Sequence, residues 1–142
     1  MEIALDQARA AGLRGEVPVG AVIVRDGAVI AQDGNRTREL RDATAHAEML
    51  VIRAASAALG QERLVGCDLY VTLEPCAMCA GAIAHARIAR LYYAAADPKG
   101  GAVEHGARVF EHEQCLHRPE VYAGMGAEEA GAMLKDFFKA RR

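Results

Sequence analysis

Two short segments constrain this chain more than any other feature. His46-Ala47-Glu48 and Pro75-Cys76-Ala77-Met78-Cys79, separated by 26 residues, offer together a histidine, two cysteines and a carboxylate. Imidazole nitrogen and thiolate sulfur are the donors that one Zn²⁺ ion takes, so any fold must bring the two segments to one point. Cys76 and Cys79 stand three apart at the start of a predicted helix, which puts both sulfurs on one face. The partial positive charge of that helix end is expected to favour thiolates even before metal binds. His46, near a second helix start, is the third expected ligand.

Zn²⁺, two thiolates and a neutral imidazole sum to zero formal charge. The fourth position is left for water, whose pKa falls toward about 7 in such an open site. Glu48 stands two residues from His46, about 200° around a regular helix, and so reads as an acid and base beside the ion rather than as a ligand. It would take a proton from the water and hand it to a ring nitrogen and then to a leaving amine, converting an aminated heterocycle to its oxo form. The alternative is a closed site that only staples the fold. It would need a fourth protein ligand from Cys67, His85, His105, His112, Cys115 or His117, none of which has a short paired spacing with His46.

The 142 residues, 52% of them hydrophobic, suffice for one ordinary core and suggest a single domain over residues 1–142. Glu2, Asp6 and Arg9 interrupt the Ala-rich start, unlike a signal peptide, and no apolar run reaches the roughly 18 residues that would span a membrane. The expectation is a cytoplasmic protein with no membrane partner, in which Cys67 and Cys115 are inert thiols. A net charge of −2 argues against indiscriminate binding to polyanions. Local basic surfaces remain: Lys135, Lys139, Arg141 and Arg142 in the tail, and Arg36, Arg38 and Arg41 in the segment 35–42. Both are candidates for phosphate contact.

Periodicity predicts a helix over 3–12, then strands over Val17–Val24 and Ala28–Gln32 joined by a tight turn at Asp26-Gly27. After a polar loop over 33–43, Thr44 is the expected N-cap of a buried helix over 45–58. Cys67–Leu73 reads as a central strand, Pro75 as the first turn of a helix running to about Arg87, and Ile88–Ala94 as a fourth strand. A weak fifth strand, Glu120–Ala123, and a helix over Ala127–Lys139 complete the chain. Strands and helices alternating after a hairpin indicate an α/β fold, a three-layer α/β/α domain around a mixed five-stranded sheet.

The surroundings of the two motifs resemble one family over nearly the whole chain: bacterial tRNA-specific adenosine deaminases, with the cytidine deaminase-like fold. The segments that carry the resemblance are Gly15-Glu16-Val17-Pro18-Val19-Gly20-Ala21, Asn35-Arg36, Ala45-His46-Ala47-Glu48, Thr72 to Ala82, Asp97-Pro98-Lys99 and Asp136-Phe137-Phe138. The zinc motif alone is shared with enzymes acting on cytosine and guanine; the flanks select adenosine. The resemblance implies zinc-dependent conversion of the wobble adenosine to inosine in a tRNA anticodon stem-loop, tRNA-Arg with anticodon ACG first, by a homodimer with one Zn²⁺ per subunit. It implies that Asn35 holds the flipped nucleotide, the backbone at Ala47 reads the base edge and Val17 walls the pocket. Asp97 and Lys99 would meet neighbouring nucleotides, and Phe138 and Lys139 would line the RNA channel. The sequence departs from the familiar pattern over residues 102–117, where Glu104, Glu111 and Glu113 add negative charge near an RNA-facing loop. The rival reading is a small-molecule deaminase of guanine, cytosine or a nucleoside with the same zinc chemistry.

Overall fold

A computed structural model of the chain describes residues 1–141, so Arg142 of the basic tail lies outside the described residues. In chain order the elements are α1 (Glu2–Leu13), β1 (Gly20–Arg25), β2 (Ala28–Gly34), α2 (Ala47–Leu59), β3 (Asp68–Leu73), α3 (Ala77–Ala86), β4 (Arg90–Ala95), β5 (Glu120–Ala123) and α4 (Ala127–Lys139). The strands form one sheet in the order β2-β1-β3-β4-β5. β1 runs antiparallel to both its neighbours, whereas β3, β4 and β5 are parallel. Helices α1 and α4 cover one face and α2 and α3 the other, which is the three-layer α/β/α arrangement expected from the sequence.

The β1–β2 turn follows from its two central residues. Asp26 (φ 51°) and Gly27 (φ 77°) both sit in the left-handed region, as a two-residue turn matched to the strand twist requires. Two further glycines let α1 lie directly on this hairpin. A Cβ on Gly20 would stand 2.0 Å from the Ala4 carbonyl oxygen, and one on Gly34 would stand 2.6 Å from that of Gln7. The residues beside these glycines, Val19 and Asn35, are thereby held at one end of the sheet, where the Asn35 N–H donates to the Val19 carbonyl at 3.0 Å.

Several boundaries differ from the sequence expectation for identifiable reasons. The first strand begins at Gly20, not Val17: Pro18 has no N–H, and that of Val19 turns back to the Val17 carbonyl at 2.8 Å. The second strand continues to Gly34, two residues beyond its expected end. The N-cap of α2 is His46, not Thr44, because the Thr44 hydroxyl donates to Asp42 Oδ1 at 2.7 Å in a local turn. Pro75 stands just outside α3, whose N-cap is Cys76. Within the parallel strands, Tyr70, Tyr92 and Tyr122 are in register on β3, β4 and β5, and their rings stack with centroids 4.4 and 5.0 Å apart.

Candidate active site

The two motifs meet where β3 ends and where α2 and α3 begin. His46 (ψ 152°) and Cys76 (ψ 176°) are the N-caps of those helices, both with extended backbone and neither with a capping hydrogen bond from its side chain. His46 Nδ1 lies 3.6 Å from Cys76 Sγ and 3.5 Å from Cys79 Sγ. Tetrahedral zinc with bonds of about 2.3 Å to sulfur and about 2.0 Å to nitrogen has N···S edges of about 3.5 Å, so the donor set fits the ion in both chemistry and spacing. Among the described residues no other His, Cys, Asp or Glu joins this group.

None of the histidines and cysteines considered as a fourth ligand joins the group, and four of them are hydrogen-bonded elsewhere. His112 and His117 direct Nε2 to the Ala107 carbonyl at 2.7 Å and the Ile88 carbonyl at 2.6 Å. The Cys115 thiol donates to the His117 carbonyl at 3.1 Å, Cys67 is buried, and His105 pairs with Glu74. Segment 102–117 is thus tied to the rest of the fold through His105 and His117, whereas the bonds of His112 and Cys115 stay within it.

The expectation of two thiolates before metal binds needs correction. The hydrogen bonds from Cys79 and His46 pull the Cys76 thiol down to about 4. Its hydrogen bond with Cys76, together with burial, pushes Cys79 up, so of the two thiols Cys76 gives up its proton first. The bond to Cys76 also raises the affinity of His46 for a proton, against the effect of burial. Glu48 is 4% exposed, and burial pushes its carboxyl up despite the opposing pull of its own backbone N–H and of His46. Because His46 is an extended N-cap rather than a helical residue, the 200° separation does not apply. Glu48 and His46 line the same cavity.

That cavity holds about 320 Å³ and is lined by six residues expected from the sequence: Val17, Asn35, His46, Glu48, Cys76 and Asp97. Cys79 is buried beside it, and Ala47 is fully buried in the first turn of α2. Lys99 is exposed and outside the lining. So are Phe138 and Lys139 on α4, where Phe138 meets Phe137 edge-on at 5.3 Å and Arg141 lies 3.5 Å over the Phe137 ring. The sequence reading missed Val19, Thr37, Leu73, Glu74 and Gly100 in the lining.

It also missed what holds the cavity's borders. Glu16, 2% exposed, accepts the backbone N–H of Arg38 at 3.1 Å and that of Glu39 at 2.8 Å. Glu74, also 2% exposed, accepts the N–H of Asp97 at 3.0 Å on Oε1 and those of Val103, Glu104 and His105 at 3.1, 3.0 and 3.2 Å on Oε2. The His105 ring adds a contact of 2.7 Å to Oε1. Burial alone would push the Glu74 carboxyl up; the Asp97 N–H, the His105 ring and the remaining N–H groups outweigh it and hold the group below its ordinary value. Both glutamates lie in segments that carry the family resemblance, but no local signal distinguishes a carboxylate that collects distant N–H groups.

Known proteins agree with this site. The profile of the cytidine and deoxycytidylate deaminase zinc-binding region matches residues 1–95. A protein of Agrobacterium fabrum named tRNA-specific adenosine deaminase is 63% identical over 142 residues, which are all of this chain and 93% of that protein. A structure solved in a study of A-to-I editing by tRNA:A34 deaminases at the wobble position superposes with a TM-score of 0.93 at 65% identity, over 94% of this chain and 97% of that one. Guanine deaminase of Bacillus subtilis superposes less completely, with a TM-score of 0.65 at 45% identity, over 67% of this chain and 61% of that one. The chain belongs to the tRNA-specific adenosine deaminases, built on the zinc-binding region of the cytidine and deoxycytidylate deaminases.

Proposed function

We propose that the cavity receives the wobble adenosine of a tRNA anticodon loop, that of tRNA-Arg with anticodon ACG first, and that water converts it to inosine with release of ammonia. The observation that carries this is the convergence, on one cavity, of a zinc donor set, a buried carboxyl and Asn35. Zn²⁺ held by His46, Cys76 and Cys79, one per chain, supplies the Lewis acidity that makes water nucleophilic at neutral pH.

Glu48, whose burial raises its proton affinity, takes one proton of the attacking water and delivers it to the ring nitrogen, then carries the second, from the newly added hydroxyl, to the amine that departs as ammonia. Asn35 Nδ2 is oriented by Thr37 Oγ1 at 3.3 Å and holds base or ribose. Ala47 sits at the start of α2, whose leading N–H groups have no helical partner and can read a base edge. Val17 and Asp97 form parts of the wall. A stem-loop is larger than the cavity, so Lys99, Phe138 and Lys139, like Arg38 and Arg41, serve nucleotides outside the flipped base. On this reading residues 1–142 act as one deaminase domain, paired in a homodimer in the cytoplasm. Sedimentation at micromolar concentration reads the pairing.

A stem-loop bearing ACG, incubated with zinc-loaded protein, is expected to be read as ICG, whereas free adenosine, cytosine and guanine stay unchanged. Fast turnover of free guanine with an inert stem-loop would favour the second reading, which the likeness to guanine deaminase supports. Glu48→Ala is expected to lose at least about 10²-fold in kcat with zinc content and fold retained. Unchanged turnover would remove Glu48 from the mechanism.

A further inference from the structure

Glu74 is not a zinc donor, yet it borders the cavity and its carboxylate collects five hydrogen bonds. The bonds are divided in a telling way. Oε2 gathers the N–H groups at the far end of the segment 97–105, while Oε1 takes the N–H of Asp97 at its near end together with the ring of His105. One carboxylate therefore closes the segment into a loop whose near end is cavity wall. The fit is tight, since a Cβ on Gly101 would stand 2.5 Å from Glu74 Cδ and 2.6 Å from the Asp97 carbonyl oxygen. His105 is 37% exposed and lies between the buried carboxylate and solvent.

We propose that Glu74 is a positioning residue: braced by His105, it fixes Asp97 and Gly100 as one wall of the cavity and so governs capture of the nucleotide rather than the chemical step. This rests on the reading of function given above. His46, Glu48, Cys76 and Cys79 are placed by the starts of α2 and α3, and the tie of segment 97–105 to that region, Ala102 N–H to the Pro75 carbonyl at 2.8 Å, does not use the Glu74 carboxylate. A wall displaced by loss of that carboxylate therefore weakens substrate binding while the reacting groups stay in place.

Three zinc-loaded variants test the proposal on the ACG stem-loop, with zinc per chain measured alongside. His105→Ala removes the brace and is expected to raise KM about fivefold with kcat within about twofold. His105→Asn, whose Nδ2 is as many bonds from Cα as the imidazole Nδ1, is expected to restore KM to within about twofold of the parent. Glu74→Gln places an amide NH₂ against N–H donors and is expected to raise KM about tenfold and to speed hydrogen exchange at the Asp97 amide, read without substrate. Unchanged KM in both His105→Ala and Glu74→Gln overturns the proposal, as does a fall in kcat at constant KM, loss of zinc, or failure of His105→Asn to rescue. Unaltered exchange at Asp97 in Glu74→Gln overturns the tether itself. Parent turnover is the separate check on function: an inert parent removes that reading and this one with it, whereas an active parent with unmoved variants removes only this one.

Discussion

The two segments bordering the cavity are held in different ways. Segment 33–42 depends on Glu16 for two N–H groups, but it is also secured by Asn35 and Arg36 N–H bonds to Val19 and Ala45, and by Arg36 bridging Asp33 and Glu39 at 2.8 Å each. Segment 97–105 has backbone ties of Gly101 N–H to Asp97 and Ala102 N–H to Pro75 at 2.8 Å each and of Val109 N–H to Ala102 at 2.9 Å. Its Lys99 and Gly100 N–H groups turn to Asp97 Oδ1, and the Tyr93 hydroxyl donates to Glu104; yet four of its backbone N–H groups end on the one carboxylate of Glu74. One border is redundant and rich in cations; the other converges on a single buried carboxylate. Redundancy spreads the effect of any substitution, whereas convergence concentrates it.

Substitutions can break or sharpen this contrast. Glu74→Ala strands four backbone N–H groups and is expected to cost about 4 kcal/mol, against about 2 kcal/mol for Glu16→Ala, which strands two. Chemical denaturation of the zinc-loaded proteins compares them, and equal losses would erase the distinction. Gly101→Ala drives a methyl group against Glu74 and should cost about 2 kcal/mol while leaving segment 33–42 unperturbed in its NMR shifts. Arg36→Ala should cost less than about 1 kcal/mol, because the pairs it breaks are partly exposed and other bonds remain.

The smallest expected effect is one of pH. The Thr44 hydroxyl and then its N–H hold the Asp42 carboxyl below its ordinary value of 3.8. The folded value is therefore the lower one, so the turn's contribution is fully present above 3.8 and is lost as the pH falls through the depressed value. The Thr44 amide shift should titrate over that acidic window in the parent and not in Asp42→Asn.

What the sequence made legible was the chemistry and most of the layering. A histidine and two cysteines at metal spacing, and Asp-Gly between two β-prone runs, are local signals, and both the donor cluster and the hairpin are found. The N-cap of α2 escaped because preference favours a threonine hydroxyl there, while the chain spends that hydroxyl on Asp42 and turns the His46 ring toward two sulfurs. The tethers escaped for a different reason: the partners of Glu16 and Glu74 are backbone N–H groups 22 to 31 residues away, and such groups look alike in every sequence. The ties of segment 102–117 had no sequence signal either, because its histidines have no periodicity. The partners of His105 and His117 are a carboxylate 31 and a carbonyl 29 residues away, brought near only by folding.

The tyrosine column has an optical consequence. The chain has four tyrosines and no tryptophan, and Tyr70, Tyr92, Tyr93 and Tyr122 all lie on β3, β4 and β5. Intrinsic ultraviolet emission is thus confined to the parallel half of the sheet, and the stacked rings should couple to give a strong near-ultraviolet dichroic band. That band would follow assembly of β3, β4 and β5 without labelling, apart from any change at the metal-binding helices.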